Sequence, residues 1–119
     1  MKKILLVDDE QEFRELVSKR LTFNGYAVET ANDGEEALVK FKAELPNLVI
    51  LDLGLPKLDG YVVAERMKRH AENVPIIILT ARGGELEKEI GLLAGAAAYM
   101  LKPFEPEKLL AKIKELIGL

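Results

Sequence analysis

The run Ile4-Leu5-Leu6-Val7-Asp8-Asp9-Glu10, ILLVDDE, decides how the rest of the chain is read. Its four aliphatic residues show no polar alternation, as expected of a strand covered on both faces. Three carboxylic acids then follow without a break. Short apolar runs recur at Ala27 to Ala31, Leu48 to Leu51, Ile76 to Leu79 and Ala98 to Leu101, separated each time by a longer stretch of helical spacing. The helical stripes are Phe13, Leu16, Val17 and Leu21; Ala37, Leu38 and Phe41; Tyr61, Val63, Ala64 and Met67; Leu86, Ile90 and Leu93; and Leu109, Leu110, Ile113, Leu116 and Ile117. Gly25 stops the first, Pro46 follows the second and Pro106 opens the last. Five strands alternating with five helices predict an α/β fold built on a doubly wound parallel sheet.

The composition bounds what such a fold does. A chain of 119 residues fits one domain, residues 1–119, with one core. A formal net charge of -3 and a pI of about 5.3 do not favour direct nucleic-acid binding. With no cysteine there is neither a disulfide framework nor a thiolate metal site, and no run approaches the roughly 20 apolar residues of a membrane span. The expected location is cytoplasmic, away from membranes.

Right-handed crossovers bring every strand's carboxyl end to one edge of a parallel sheet, where open α/β folds bind ligands. That edge collects Asp8 and Asp9 after the first strand, Asp52 after the third, Thr80 after the fourth and Lys102 after the fifth. Clustered carboxylates are costly to keep ionised unless a cation sits among them. Oxygen ligands without histidine or cysteine select a hard ion, and so few protein ligands leave open the positions that magnesium fills with water and phosphate oxygens. Three acids, one lysine and Mg2+ sum to zero charge, and the chemistry that follows is phosphoryl transfer to an aspartate. Alone, Asp8-Asp9-Glu10 reads as the acidic start of a helix and Thr80 as a β-former. It is their convergence with Asp52 and Lys102 that carries the reading.

Four motifs, VDDE, DLGLPKLDG from Asp52 to Gly60, LTAR around Thr80 and YMLKPF from Tyr99 to Phe104, occur in order, each at the end of its strand. In these the whole chain resembles the receiver domain of two-component response regulators. The resemblance implies a flavodoxin-like sheet in the order 2-1-3-4-5 and a cis peptide between Lys102 and Pro103. It implies a signalling domain that is not an enzyme beyond its own phosphotransfer and dephosphorylation. Asp52 would accept a phosphoryl group from a sensor histidine kinase or a histidine phosphotransfer protein. Asp8, Asp9, Asp52 and the Gly54 carbonyl would hold Mg2+, with Mn2+ as a substitute. Lys102, Thr80 and the Ala81 backbone N–H would bind phosphoryl oxygens, and Thr80 with Tyr99 would form the switch read by a downstream protein target.

Asp59-Gly60 reads as a turn, without chemistry. Gln11, Arg14, Glu15 and Ser18 avoid the apolar stripe of the first helix, flank the site and are expected to be exposed positions that help choose the kinase. Ala97 and Ala98 stand where the transcription-factor branch usually has an acidic pair that bridges its dimer, so a monomer or a weak phosphorylation-dependent dimer is expected. The resemblance leaves open a stand-alone receiver or a fragment of a longer regulator. Two alternatives lie beside it. A flavodoxin-like ligand-binding scaffold needs phosphate-cradling donors in the first loop, where this chain has acids, and a degenerate receiver lacks a site residue, whereas here all are present.

Overall fold

The computed structural model describes residues 1–118. Ten elements alternate as β1 (Lys3–Val7), α1 (Gln11–Phe23), β2 (Ala27–Ala31), α2 (Gly34–Glu44), β3 (Leu48–Leu51), α3 (Gly60–His70), β4 (Ile76–Thr80), α4 (Glu85–Leu93), β5 (Ala98–Leu101) and α5 (Pro106–Ile117). The strands form one parallel sheet in the order β2-β1-β3-β4-β5. The expected order and the five-helix count are therefore met, and Lys102–Pro103 is cis.

The aliphatic runs have a direct cause in the packing. Side chains alternate across the sheet, so Leu5, Val7, Val49, Leu51 and Ile78 face Phe41, Val63, Ala64 and Met67 of α2 and α3. Ile4, Leu6, Ile50, Ile77 and Leu79 face Val17 and Leu21 of α1 and Leu109 and Ile113 of α5. Both faces of the central strands are dry, which leaves no position for a polar residue until the strands end.

Two helical stripes differ from the sequence expectation. Leu16 of α1 is 67% exposed, and in α4 Leu86 and Leu93 are 69% and 82% exposed, with Ile90 also turned to solvent. The residue of α4 that docks is Gly91, where an added Cβ would lie 2.9 Å from both Ile78 and the Tyr99 ring. At 3.6 residues per turn the leucine and isoleucine positions centre on the far side of the helix from Gly91. Periodicity finds a stripe; it does not say which side of a helix meets a sheet near its edge.

Asp59-Gly60 is a helix start. Asp59 caps α3 by accepting from Tyr61 N at 2.8 Å. A Cβ at Gly60 would fall 2.6 Å from Leu53 Cα and 2.9 Å from the Asp52 carbonyl oxygen. Backbone cannot yield as a side-chain tip does, so Gly60→Ala is expected to lower stability by about 2–3 kcal/mol through overpacking. Chemical denaturation measures this, and a loss below about 0.5 kcal/mol would mean that α3 shifts without cost.

Candidate functional site

Register brings the acids together. Val7 pairs with both Ala31 and Leu51, and the ladder runs on past the strand ends, with Asp8 N donating to Ala31 O at 3.1 Å and Asp52 N to Val7 O at 3.0 Å. Asp8 and Asp52 thus leave adjacent strands at the same level. On the other side of β4, Lys102 N donates to Thr80 O at 2.8 Å, which fixes the root of the lysine side chain at the same rim.

The side chains then converge. One oxygen from each of Asp8, Asp9 and Asp52 lies within 4.8 Å of the others. Lys102 Nζ donates to Asp8 Oδ2 at 2.6 Å and to Asp52 Oδ2 at 3.3 Å, stands 3.8 Å from Glu10 Oε1 and lies 4.0 Å from the centroid of the Phe13 ring. Asp8 is 1% exposed and Asp52 8%, whereas Asp9 is open to solvent. Burial pushes the Asp8 carboxyl above the ordinary carboxylate range, even though the Lys102 ammonium and the Glu10 N–H pull it down. Burial alone would lower Lys102, but the hydrogen bond to Asp8 and the charge of Asp52 outweigh it and hold the ammonium above its usual value. The two shifts have different leading causes, burial for the acid and its carboxylate neighbours for the ammonium, but the Asp52 charge adds to both, so the rim favours cations. Three carboxylate oxygens this close are a donor set suited to a hard divalent ion, magnesium or manganese.

The remaining predicted residues surround this centre. Gly54 N donates to Asp52 Oδ1 at 3.2 Å and orients the carboxylate. Thr80 is 1% exposed, and its hydroxyl accepts from Arg82 N at 3.3 Å; Ala81, next to it, is exposed at the rim. The Tyr99 hydroxyl donates to Arg82 O at 2.5 Å, so the loop after β4 is held between the threonine and the tyrosine. Burial, aided by the charge of Glu87, keeps the Tyr99 phenol above its ordinary value and neutral.

The first-helix positions are a mixed result. Gln11 and Glu15 are exposed and paired, with Nε2 donating to Oε1 at 3.0 Å. Arg14 and Ser18 depart from the expectation of exposure. Arg14 is half-buried, with its guanidinium donating to the Asp8 carbonyl at 2.6 Å, because the first turn of α1 lies directly over the strand end. Ser18 is half-buried too, and its Oγ is buried without a hydrogen-bond partner among the described residues. Glu10 and Phe13 carry no site role in the sequence reading, yet both approach Lys102. Phe13 reads as one apolar residue in a helical stripe, and only the folded chain shows its ring meeting a lysine 89 positions away. Tyr61 was also missed as a tie: its hydroxyl donates to the Glu87 carboxylate and, at 3.0 Å, to the Glu87 carbonyl, joining α3 to α4.

Comparison with known proteins agrees with this geometry. The family model described as the response regulator receiver domain matches residues 4–114. A probable transcriptional regulator, ycf27, of Cyanophora paradoxa is 49% identical over 98% of this chain and 48% of its own length. The alkaline phosphatase synthesis transcriptional regulatory protein PhoP of Bacillus subtilis is 46% identical, also over 98% of this chain and 48% of its own. The chain therefore spans about half the length of these relatives. Among solved structures, a CheY-like response regulator receiver domain protein from Methanospirillum hungatei superposes with a TM-score of 0.93 at 36% identity, covering 97% of this chain and 92% of that one. With the family model spanning nearly its whole length and relatives matched over 98% of the chain, this chain belongs to the response regulator receiver domain family.

Proposed function

We propose that this chain, as a single receiver domain over residues 1–119, accepts a phosphoryl group on Asp52 from a phosphohistidine of a sensor kinase or phosphotransfer protein, and passes the signal to a downstream protein target. The observation that carries this is the nearly buried Asp52 carboxylate, hydrogen-bonded to Lys102 Nζ and clustered with Asp8 and Asp9. An Asp52 oxygen attacks phosphorus, the P–N bond breaks, and the leaving imidazole keeps the electron pair and takes up a proton. Asp8, Asp9, Asp52 and the Gly54 carbonyl would hold Mg2+, or Mn2+ in its place, which supplies positive charge to the phosphoryl oxygens. Lys102 turns from Asp52 to a phosphoryl oxygen, while the Ala81 N–H and the Thr80 hydroxyl donate to the others. Thr80 accepts from Arg82 N and keeps its O–H free to donate to the phosphoryl group, so its movement pulls on the loop on which the Tyr99 hydroxyl rests. The movement of Thr80 and Tyr99 is the signal. Catalysis beyond the domain's own phosphotransfer and dephosphorylation has no part in this reading.

No helix among the described residues is long and apolar enough to cross a membrane, and a cytoplasmic place beside the kinase's phosphohistidine fits the chemistry. Gln11 and Glu15, exposed near the site, are the positions of α1 best suited to distinguish kinases, with Arg14 and Ser18 shaping the same face from beneath. Incubation with acetyl phosphate and Mg2+ tests the reading: mass spectrometry is expected to find one added phosphoryl group, and none in EDTA. Full labelling in EDTA would refute the part given to the metal.

Ala97 and Ala98 offer no charge to a symmetric partner, so the phosphorylated protein is expected to remain a monomer or a weakly associating dimer. Sedimentation with beryllofluoride as the phosphoryl mimic decides it. A tight dimer through α4 and β5 would contradict the expectation.

A further inference from the structure

We propose that Phe13 is a positioning residue for Lys102, holding the ammonium inward on the acid rim so that it is already aimed at the incoming phosphoryl group. The inference rests on the phosphoacceptor reading of Asp52. Lys102 Nζ has competing partners. Inside are Asp8 at 2.6 Å and Asp52 at 3.3 Å; outside is Glu10, 70% exposed in its side chain, at 3.8 Å. A flexible four-carbon stem can serve either direction, and water favours the outer one. Phe13 occupies the remaining side of the ammonium, with Nζ 4.0 Å from the ring centroid, inside the range in which a ring's negative face attracts a cation. The lysine side chain is only 15% exposed there, so the attraction is little screened.

The ring is itself fixed. Phe13 meets Phe104 edge to face, with centroids 6.0 Å apart and planes at 70°. Phe104 stands two residues after Lys102, so the segment that carries the lysine also anchors the ring on which the lysine rests. An aliphatic side chain at position 13 would fill the same space between α1 and α5 but would offer the cation no electron-rich face. The ammonium would then divide its time between the acid rim and Glu10.

The test compares Phe13→Leu, which removes the face, with Phe13→Tyr, which keeps it, in protein confirmed folded by denaturation. Phe13→Leu is expected to slow phosphorylation by acetyl phosphate about fivefold, equivalent to about 1 kcal/mol, with Phe13→Tyr close to wild type. A second readout needs neither phosphodonor nor metal. Acylation footprinting in EDTA, read by mass spectrometry, is expected to modify Lys102 about fivefold faster in Phe13→Leu, with the other lysines and the Phe13→Tyr variant unchanged. Equal Lys102 reactivity in all three proteins would overturn the proposal, as would equal slowing in both variants, which would mark mere packing. If wild type takes no phosphoryl label, the reading of Asp52 fails instead, and the footprint alone then decides whether Phe13 holds the lysine.

Discussion

Asp52→Asn is expected to abolish phosphorylation, with labelling by acetyl phosphate reduced by at least about 1,000-fold, the scale on which removal of a nucleophile acts. The substitution is close to isosteric, but Gly54 N and Lys102 Nζ donate to different oxygens of the carboxylate, Oδ1 and Oδ2, so the single amide oxygen keeps only one of these bonds. What is lost is the anionic oxygen that attacks phosphorus. Asp8 is the informative control, because it is also a carboxylate and is closer to Lys102, at 2.6 Å, yet it is more deeply buried and held by the Glu10 N–H as well. Peptide mapping therefore matters as much as total label. Wild-type levels of phosphate on Asp52→Asn, found on Asp8 or Asp9, would move the acceptor to a different strand end and sink the assignment.

The second large effect concerns the stability of the rim itself. Asp8, Asp9 and Asp52 share one ammonium, so the metal-free protein carries uncompensated negative charge that unfolding relieves. Magnesium that binds only the folded chain is expected to add about 2.7 kcal/mol at roughly 100 times its dissociation constant. In EDTA, Asp9→Asn is expected to stabilise the protein by about 1 kcal/mol, the Coulomb energy of two charges at this separation in a water-like medium, and to blunt the response to magnesium. The pH dependence follows from Asp8. Its folded pKa stands above the unfolded value of 3.8, so its contribution is fully present below 3.8 and is lost as pH rises through the folded value. Other carboxylates act in the opposite direction: Asp33 is lowered by the Glu36 N–H it caps and Glu44 by its bond from Lys3. The useful quantity is therefore the difference between wild type and Asp8→Asn. In EDTA the two should be equally stable at the acid end, and the variant should gain as pH climbs to neutrality. A wild type indifferent to magnesium, or asparagine variants less stable than wild type in EDTA, would show that hydrogen bonds already satisfy the acids.

Much of this protein is decided along the chain. The aliphatic runs of β1, β3 and β4 can only be central strands, since both of their faces are covered, and the acids, the threonine and the lysine at their ends fall on one edge because parallel crossovers leave no other arrangement. The bounds of Ala27–Ala31, Leu48–Leu51 and Ala98–Leu101 are legible to the residue as short β-forming runs between helical stretches, although β2 and β5 lie at the edges of the sheet and are only partly covered. What periodicity could not supply was orientation. A helix that covers a sheet's centre must turn its stripe inward, but α4, beside the edge strand β5, docks through Gly91 and leaves Leu86 and Leu93 in water. Nor could spacing reveal that Arg14 reaches the Asp8 carbonyl or that the Phe13 ring lies against Lys102. Periodicity is a property of one element, whereas these contacts are set by the angle and height at which separate elements pack. Which acids, threonine and lysine meet at the rim follows from their order along the chain; which way the lysine, the first helix and the fourth helix face there follows from how the folded elements pack against one another.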